Sequence, residues 1–467
     1  MADSSVFSLA DDSSSDLRPT RVRFVVLGML TLAMSVAYLM RNIGAINTAM
    51  AAEFQYDDKQ MGTVLAGFMV GYLWMQIPGG YLGSRFGARI VLPLICVGWS
   101  LCALWSGLAS KEHIYWARFA IGVFQGGLIP CSAKVVGDWF PDAERGVASA
   151  MVTGGMQAGG LLAMGLTGFL LESLNWHWRT CVCVYSSTGL VWSVAFLLLF
   201  RNRPAEHPWI NRAEIAWISS GRSETARHAV SRREIGIILG LMLTSVSLWL
   251  LCFQQFWRSF GYEFFPTWFP AFLQNSRGLS IKNASLLTTA PLLAVATGGF
   301  AGGFIVDQLY RRTNSKWLSR SGTAMLALAA SAACTLAATR ADTVEAAVAV
   351  ITAAAFFAGM AGPCTWAALL DLSGKYTGVV SGIVNLSGVL GAACSPWLVG
   401  QLFAGIKHPP TAADGASPIV ISFWKVAHPW GWSLVLYVIA SAYLLSALGW
   451  LFLNSSRSAV ERHSSVT

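Results

Sequence analysis

Residues Gly79–Arg89 read GGYLGSRFGAR, and residues Gly302–Arg312 read GGFIVDQLYRR. The two align without a gap: paired glycines, an aromatic, an aliphatic, then basic residues at the end of an apolar run. Paired glycines let helices approach closely, and basic residues at the end of a span anchor a tight turn against neighbouring helix ends. Each stretch closes the second span of its half of the chain, which is the mark of an internal repeat.

Working outward, the 467 residues are 55% hydrophobic and only 12% charged, with positive mean hydropathy. A soluble domain carries about 25% charged residues, so the composition is that of a membrane protein. Crossing hydrocarbon takes about 20 apolar residues per helix. Twelve stretches qualify, near 24–48, 60–83, 88–109, 113–137, 146–171, 178–200, 240–272, 283–307, 318–338, 343–368, 376–402 and 429–453. The seventh is too long for one span and carries Pro266 and Pro270. The first lies too far in and is too long for a signal peptide, and lacks a small-residue cleavage site.

Lys and Arg divide 20 to 8 between the two sets of loops, so both termini and the long central loop are expected to be cytoplasmic. The net charge of +9 is then a topology signal rather than a nucleic-acid footprint. Residues 1–20 read as a disordered tail, 21–200 as a first six-helix bundle and 201–234 as a polar linker. Residues 235–454 read as a second six-helix bundle and 455–467 as a C-terminal tail. The expected fold is all-α: twelve transmembrane helices in two bundles that are parallel repeats, the outline of a transporter. The nine cysteines fall within apolar segments and read as packing, with no zinc spacing.

On these residues the chain resembles known transporters. Gly79–Arg89 resembles the cytoplasmic loop motif of the major facilitator superfamily. More narrowly, MQIPGGYLGSRFGARIVLPLICVGWSL (Met75–Leu101) and RFAIGVFQGGLIPCSAKVVGDWFPDAERG (Arg118–Gly146) are similar to the anion:cation symporter family. So is the stretch from Trp366 through Asp371 and Asn385 to Ser395–Gly400. The resemblance implies the major facilitator fold and alternating access around a midplane site, with organic or inorganic anions as substrates. It also has departures. Ser84 stands where an Asp is usual, although Asp307 keeps it in the second half. Met40 and Gln125 stand where many proton-coupled members carry acids. A second resemblance, to the organophosphate:phosphate antiporters, rests on Tyr38-Leu39-Met40-Arg41, on Phe124-Gln125-Gly126 with Pro130-Cys131, and on Arg258 with Pro266. It implies one arginine from each half gripping a phosphate.

An ionisable residue within a span is a functional-site candidate by default, because inserting it costs several kcal/mol. Arg41 and Arg118 lie on antiparallel spans, each about 10 Å from the midplane by the rise of 1.5 Å per residue. Two guanidiniums at one level repel unless an anion accepts their forks. Gln125 shares a helix face with Arg118, and Tyr38 lies one turn before Arg41. In the seventh span Gln254, Arg258 and Tyr262 form a stripe at spacing four. Glu263 is the in-span acid of that segment, read as a coupling candidate or as the partner of a basic neighbour. Asn385 reads as a cavity ligand or an interhelical bond. Arg85, Arg89, Asp138, Glu144, Arg145 and Asp307 read as a cytoplasmic gate, with Lys134 paired to Asp138.

No phosphate loop, nucleophile elbow or zinc motif stands in a credible context, so an enzyme is not expected, nor a cofactor. The reading is a monomeric secondary transporter for a small organic anion such as a sugar acid, in a bacterial inner membrane. H+ or Na+ is the expected co-substrate, with exchange against phosphate as the alternative and an anion sensor on a transporter fold as a third reading.

Overall fold

The computed structural model describes residues 18–41, 44–141, 144–219, 245–373, 377–411 and 414–453. The expected tails and the second half of the linker lie outside the described residues. The helices of the first half are α1 (Val22–Arg41), α2 (Asn47–Phe54), α3 (Asp58–Phe86), α4 (Ala88–Leu108), α5 (Ile114–Gln125), α6 (Leu128–Trp139), α7 (Arg145–Ser173) and α8 (Trp178–Leu199). The linker supplies α9 (Arg212–Ser219). The second half follows with α10 (Val246–Thr267), α11 (Phe269–Arg277), α12 (Ile281–Thr313), α13 (Thr323–Ala337), α14 (Val344–Ser373), α15 (Thr377–Lys407), α16 (Pro418–Ala427) and α17 (Ser433–Phe452).

Ten helical stretches among the described residues are long and apolar enough to cross a membrane. α3 and α10 fall outside that set; in α10, Gln254, Gln255, Arg258 and Glu263 dilute the apolar run. Three expected spans are broken rather than continuous. The first departs from α-helical geometry at the 3-10 turn Gly44–Ile46, before α2. The fourth is interrupted between Gln125 and Leu128. The seventh breaks after Thr267, with Pro270 in the first turn of α11, a position where a missing N–H costs nothing.

The repeat read from the sequence recurs in the packing. In the first half α1 packs on α7, α3 on α5, and α4 on α8. In the second half α10 packs on α15, α12 on α14, and α13 on α17. The halves meet through α3 against α15 and α7 against α12. The two quoted motifs end the counterpart helices α3 and α12, and their glycines sit at backbone contact. A Cβ on Gly79 would lie 2.4 Å from the Cα of Gly127, and one on Gly302 would lie 2.3 Å from the carbonyl oxygen of Met360.

Polar ties between the halves concentrate at the face away from the termini. There Lys407 pairs with Asp58 at 2.9 Å, the backbone N–H of Lys282 donates to Glu172 at 2.7 Å, and Asn47 donates to the carbonyl of Thr267. At the terminal face α9 reaches back to α1. The buried carboxylate of Glu214 accepts from the Val22 and Arg23 backbone N–H groups at 3.1 and 3.2 Å and pairs with the Arg23 guanidinium at 3.0 Å. It thereby caps the first helix from the linker, satisfying donors that the helix start leaves unbonded.

Because Gly302 touches backbone rather than a flexible side chain, Gly302→Ala is expected to cost about 1–3 kcal/mol by overpacking. Gly362→Ala, in open space on α14, serves as the control. The check is the melting temperature of the detergent-solubilised protein, which should fall only for the first variant.

Candidate functional site

Side chains of the fourth span reach the backbone of α1. Carbonyl oxygens inside hydrocarbon need partners within the protein. Arg118 supplies them: Nη1 donates to the Met40 carbonyl at 3.3 Å and Nη2 to the Arg41 carbonyl at 3.2 Å. Gln125, one helix face along, donates from Nε2 to the Ala37 carbonyl at 3.1 Å. Arg118 and Gln125 are buried, at 4% and 3% exposure. The sequence reading offered both to an anion. In this structure their donors are directed at carbonyls of α1.

That arrangement presents Arg41. Its guanidinium lies 4.9, 5.1 and 5.6 Å from the ring centres of Tyr38, Phe68 and Tyr72, and Nη1 donates to the Tyr38 hydroxyl at 3.2 Å. Three aromatic faces around a cation stabilise it by cation–π attraction. Phe68 also lies 5.2 Å from the Arg118 guanidinium, so one ring serves both charges. The sequence showed no acid near Arg41. The fold brings one from the other half: Glu263 Oε2 stands 3.7 Å from Arg41 Nη2. Glu263 did not fall on the Arg258 side of α10, and its pairing with a basic neighbour is made across the two halves.

On α10, Arg258 is held by Gln255, whose Oε1 accepts from Nε at 3.3 Å and Nη2 at 3.1 Å. The expected stripe partner, Gln254, is fully buried and packs against Gly449 of α17, with its amide donating to the Leu251 carbonyl. Spacing three rather than four supplies the partner because Gln254 is drawn into the second-half core. Tyr262 lies within electrostatic reach of both Arg41 and Arg258. Asn385 of α15 donates to Gln76 Oε1 of α3 at 2.8 Å, a bond between halves. Sequence reasoning missed Gln76, Tyr72 and Gln255. Gln76 stands just ahead of the quoted glycine motif, but nothing in its neighbours marks which way it faces.

The gate candidates cluster at the terminal face. Arg85 and Asp138 line one cavity together with Lys134 and Arg203. Asp138 pairs with Lys134 at 2.5 Å, and Arg85 Nη1 approaches the Tyr81 hydroxyl at 3.5 Å. Arg89 donates to the Leu197 carbonyl at 3.2 Å, and Arg145 to the Gly137 carbonyl at 2.8 Å. Glu144 pairs with Arg23 at 3.1 Å and accepts from the Trp217 indole at 3.0 Å, which joins it to the α9 latch. Asp307 is exposed on α12. A counterpart the sequence reading left out is Asp371, which pairs with Lys316 and Arg320, each at 2.9 Å.

The chain belongs to the major facilitator superfamily, whose family model matches residues 28–396, and is a multi-pass membrane protein. It is 27% identical over 384 residues to the "Probable sulfoacetate transporter SauU" of Cupriavidus necator, covering 82% of this chain and 87% of that one. It is 27% identical over 414 residues to the D-galactonate transporter of Escherichia coli O6:H1, covering 84% and 92%. A bacterial homologue of the human lysosomal transporter Spinster, solved inward-facing and occupied, superposes with a TM-score of 0.71 at 18% identity, over 93% of this chain and 97% of that one. The last likeness concerns the fold alone.

The two arginines flanking the interface should behave differently. Arg118→Ala strips two buried carbonyls of their donors and is expected to destabilise by about 1–3 kcal/mol per orphaned group. Among the described residues Arg258 donates only to Gln255 on its own helix, so Arg258→Ala should leave the melting temperature close to wild type. Thermal unfolding of the two purified variants checks the contrast.

Proposed function

We propose that the chain is a secondary active transporter that carries a small organic anion, a sugar acid or related carboxylate, across the bacterial inner membrane by alternating access. The observation that carries the reading is Arg41 on α1, ringed by Tyr38, Phe68 and Tyr72 and met by Glu263 of the other half, with Arg258 on α10 as the second-half guanidinium within electrostatic reach of the same Tyr262. A carboxylate accepts an arginine fork in bidentate geometry, and an anion held by both halves is what a rocking transporter needs at its midplane. The relatives that carry sugar acids and sulfonated acids in their names support the substrate class.

In this reading twelve spans form two bundles, 21–200 and 235–454, joined by the linker 201–234, with both termini cytoplasmic. The protein works as a monomer. Tyr38 and Asn385 assist Arg41 and Arg258 as substrate ligands, while Arg118 and Gln125 hold the end of α1 in place beneath them. The seal formed by Asp58–Lys407 and Glu172–Lys282 is then the outer gate. Arg85, Arg89, Asp138, Glu144, Arg145 and Asp307 belong to the cytoplasmic one.

Arg41→Ala and Arg258→Ala should each lower uptake about 30-fold or more, since removing one partner of a buried charge pair costs about 2–5 kcal/mol. Uptake of labelled D-galactonate, D-glucuronate and sulfoacetate into proteoliposomes is the measurement, with membrane insertion verified for each variant. Uptake that persists in a correctly inserted Arg41→Ala variant rules out the anion clamp. Uptake of a sugar phosphate that requires internal phosphate assigns the chain to exchange instead.

A further inference from the structure

Two carboxylates among the described residues are almost fully buried, and their surroundings are opposite. Glu214, at the terminal face, accepts from the Thr20 hydroxyl, two backbone N–H groups and the Arg23 guanidinium. Glu263, at the seam, is 4% exposed, and no hydrogen bond reaches its carboxylate among the described residues. Its tie is the 3.7 Å approach to Arg41, well beyond the 2.7–2.9 Å of a charge-assisted hydrogen bond. Glu214 is held in place by four donors as a helix cap; Glu263 has one salt-bridge partner, Arg41.

Glu263 also sits where the halves close. Its backbone carbonyl accepts from the Thr267 hydroxyl at 2.5 Å, and the Thr267 carbonyl accepts from Asn47 of α2. One residue earlier, a Cβ on Gly44 would lie 2.4 Å from the Pro266 carbonyl, so the two backbones touch there. The charged and titratable groups within electrostatic reach of Glu263 are Arg41 from α1 and Arg118 from α5, with Tyr262 on its own helix; Tyr38 and Tyr72 stand around Arg41, and Arg258 beyond Tyr262. Arg118 is bonded to carbonyls and Arg258 to Gln255. Arg41 is therefore the cation that both Glu263 and an incoming anion require.

We propose that Glu263 couples transport to protons by competing with the substrate for Arg41, an inference that rests on the anion-transport reading above. The exchange balances in charge and atoms. The anion's carboxylate takes the Arg41 guanidinium, one proton from water binds a Glu263 carboxylate oxygen, and the Arg41–Glu263 pair opens without any bond to carbon changing. A buried carboxylate left without its counterion is costly, and the proton removes that cost. Because Arg41 and Glu263 belong to opposite halves, the same event unties the seam beside the Gly44–Pro266 contact. Substrate and proton together release a tie that neither releases alone.

The test uses the full chain in proteoliposomes with D-galactonate, D-glucuronate and sulfoacetate as probes. Counterflow in the wild type establishes that an anion is carried; its absence for all three probes overturns the transport reading and this inference with it. Where counterflow is present, proton uptake on anion addition, followed with a pH dye in weak buffer, should show one proton per anion in the wild type and none in Glu263→Gln. The variant should also lose accumulation driven by an imposed proton gradient while counterflow remains measurable. Glu263→Asp, which keeps the acid, should retain coupled accumulation and controls for misfolding. Counterflow in the wild type without proton uptake, a sodium gradient replacing the proton gradient, or Glu263→Gln still taking up a proton would each overturn the assignment while leaving anion transport intact.

Discussion

Hydrocarbon offers no water to a carbonyl group, and that constraint organises the centre of this molecule. Along the described end of α1, carbonyl oxygens must find their partners within the protein. The guanidinium of Arg118 and the amide of Gln125 take that task. Once they are committed, Arg41 is the first-half cation left to face the seam, set among Tyr38, Phe68 and Tyr72. The substrate-facing chemistry follows from a backbone problem solved one layer behind it.

The second organising fact is the difference between contacts within a half and contacts across the seam. Within each half, glycines bring helix backbones into contact: Gly71 on the Phe119 carbonyl and Gly122 on the Phe68 carbonyl in one, Gly298 on the Phe356 carbonyl and Gly359 on the Val295 carbonyl in the other. Such packing leaves no room for sliding. Across the seam at mid-depth the ties are side-chain pairs, Asn385 with Gln76 and Arg41 with Glu263. Those can part without disturbing either half, so the fold separates rigid bodies from a breakable boundary.

Much of the architecture was legible in the residues. The paired motifs at Gly79–Arg89 and Gly302–Arg312 mark counterpart helices, and the matched packing of α3 with α5 and α12 with α14 is the repeat in three dimensions. Hydropathy located most spans but underrated α10, because the polar residues that make it interesting also lower its apolar signal. The site was half legible. Charge within apolar runs picked out Arg41, Arg118, Arg258 and Glu263. Which of them serve the backbone and which face the seam depends on which carbonyls of α1 the fourth span meets, and on which face of α10 turns inward. Neither is written in local composition. Hence Arg118 and Gln125, read as ligands, are found donating to carbonyls of α1, Gln255 rather than Gln254 holds Arg258, and the acid facing Arg41 came from 222 positions further along the chain.

The census of charge at the seam has an electrical consequence. Arg41, Arg118 and Arg258 stand against Glu263 alone in the surroundings described here. The fixed arginines remain with the protein, so the charge that crosses is set by the cargo. A monoanion travelling with one proton is neutral overall, and its distribution is indifferent to membrane voltage. A dianion with the same single proton carries one net negative charge inward. An interior-negative potential opposes that by about 2.3 kcal/mol for every 100 mV. The valence of the acid would thus decide whether a cell's voltage is irrelevant to this carrier or works against it.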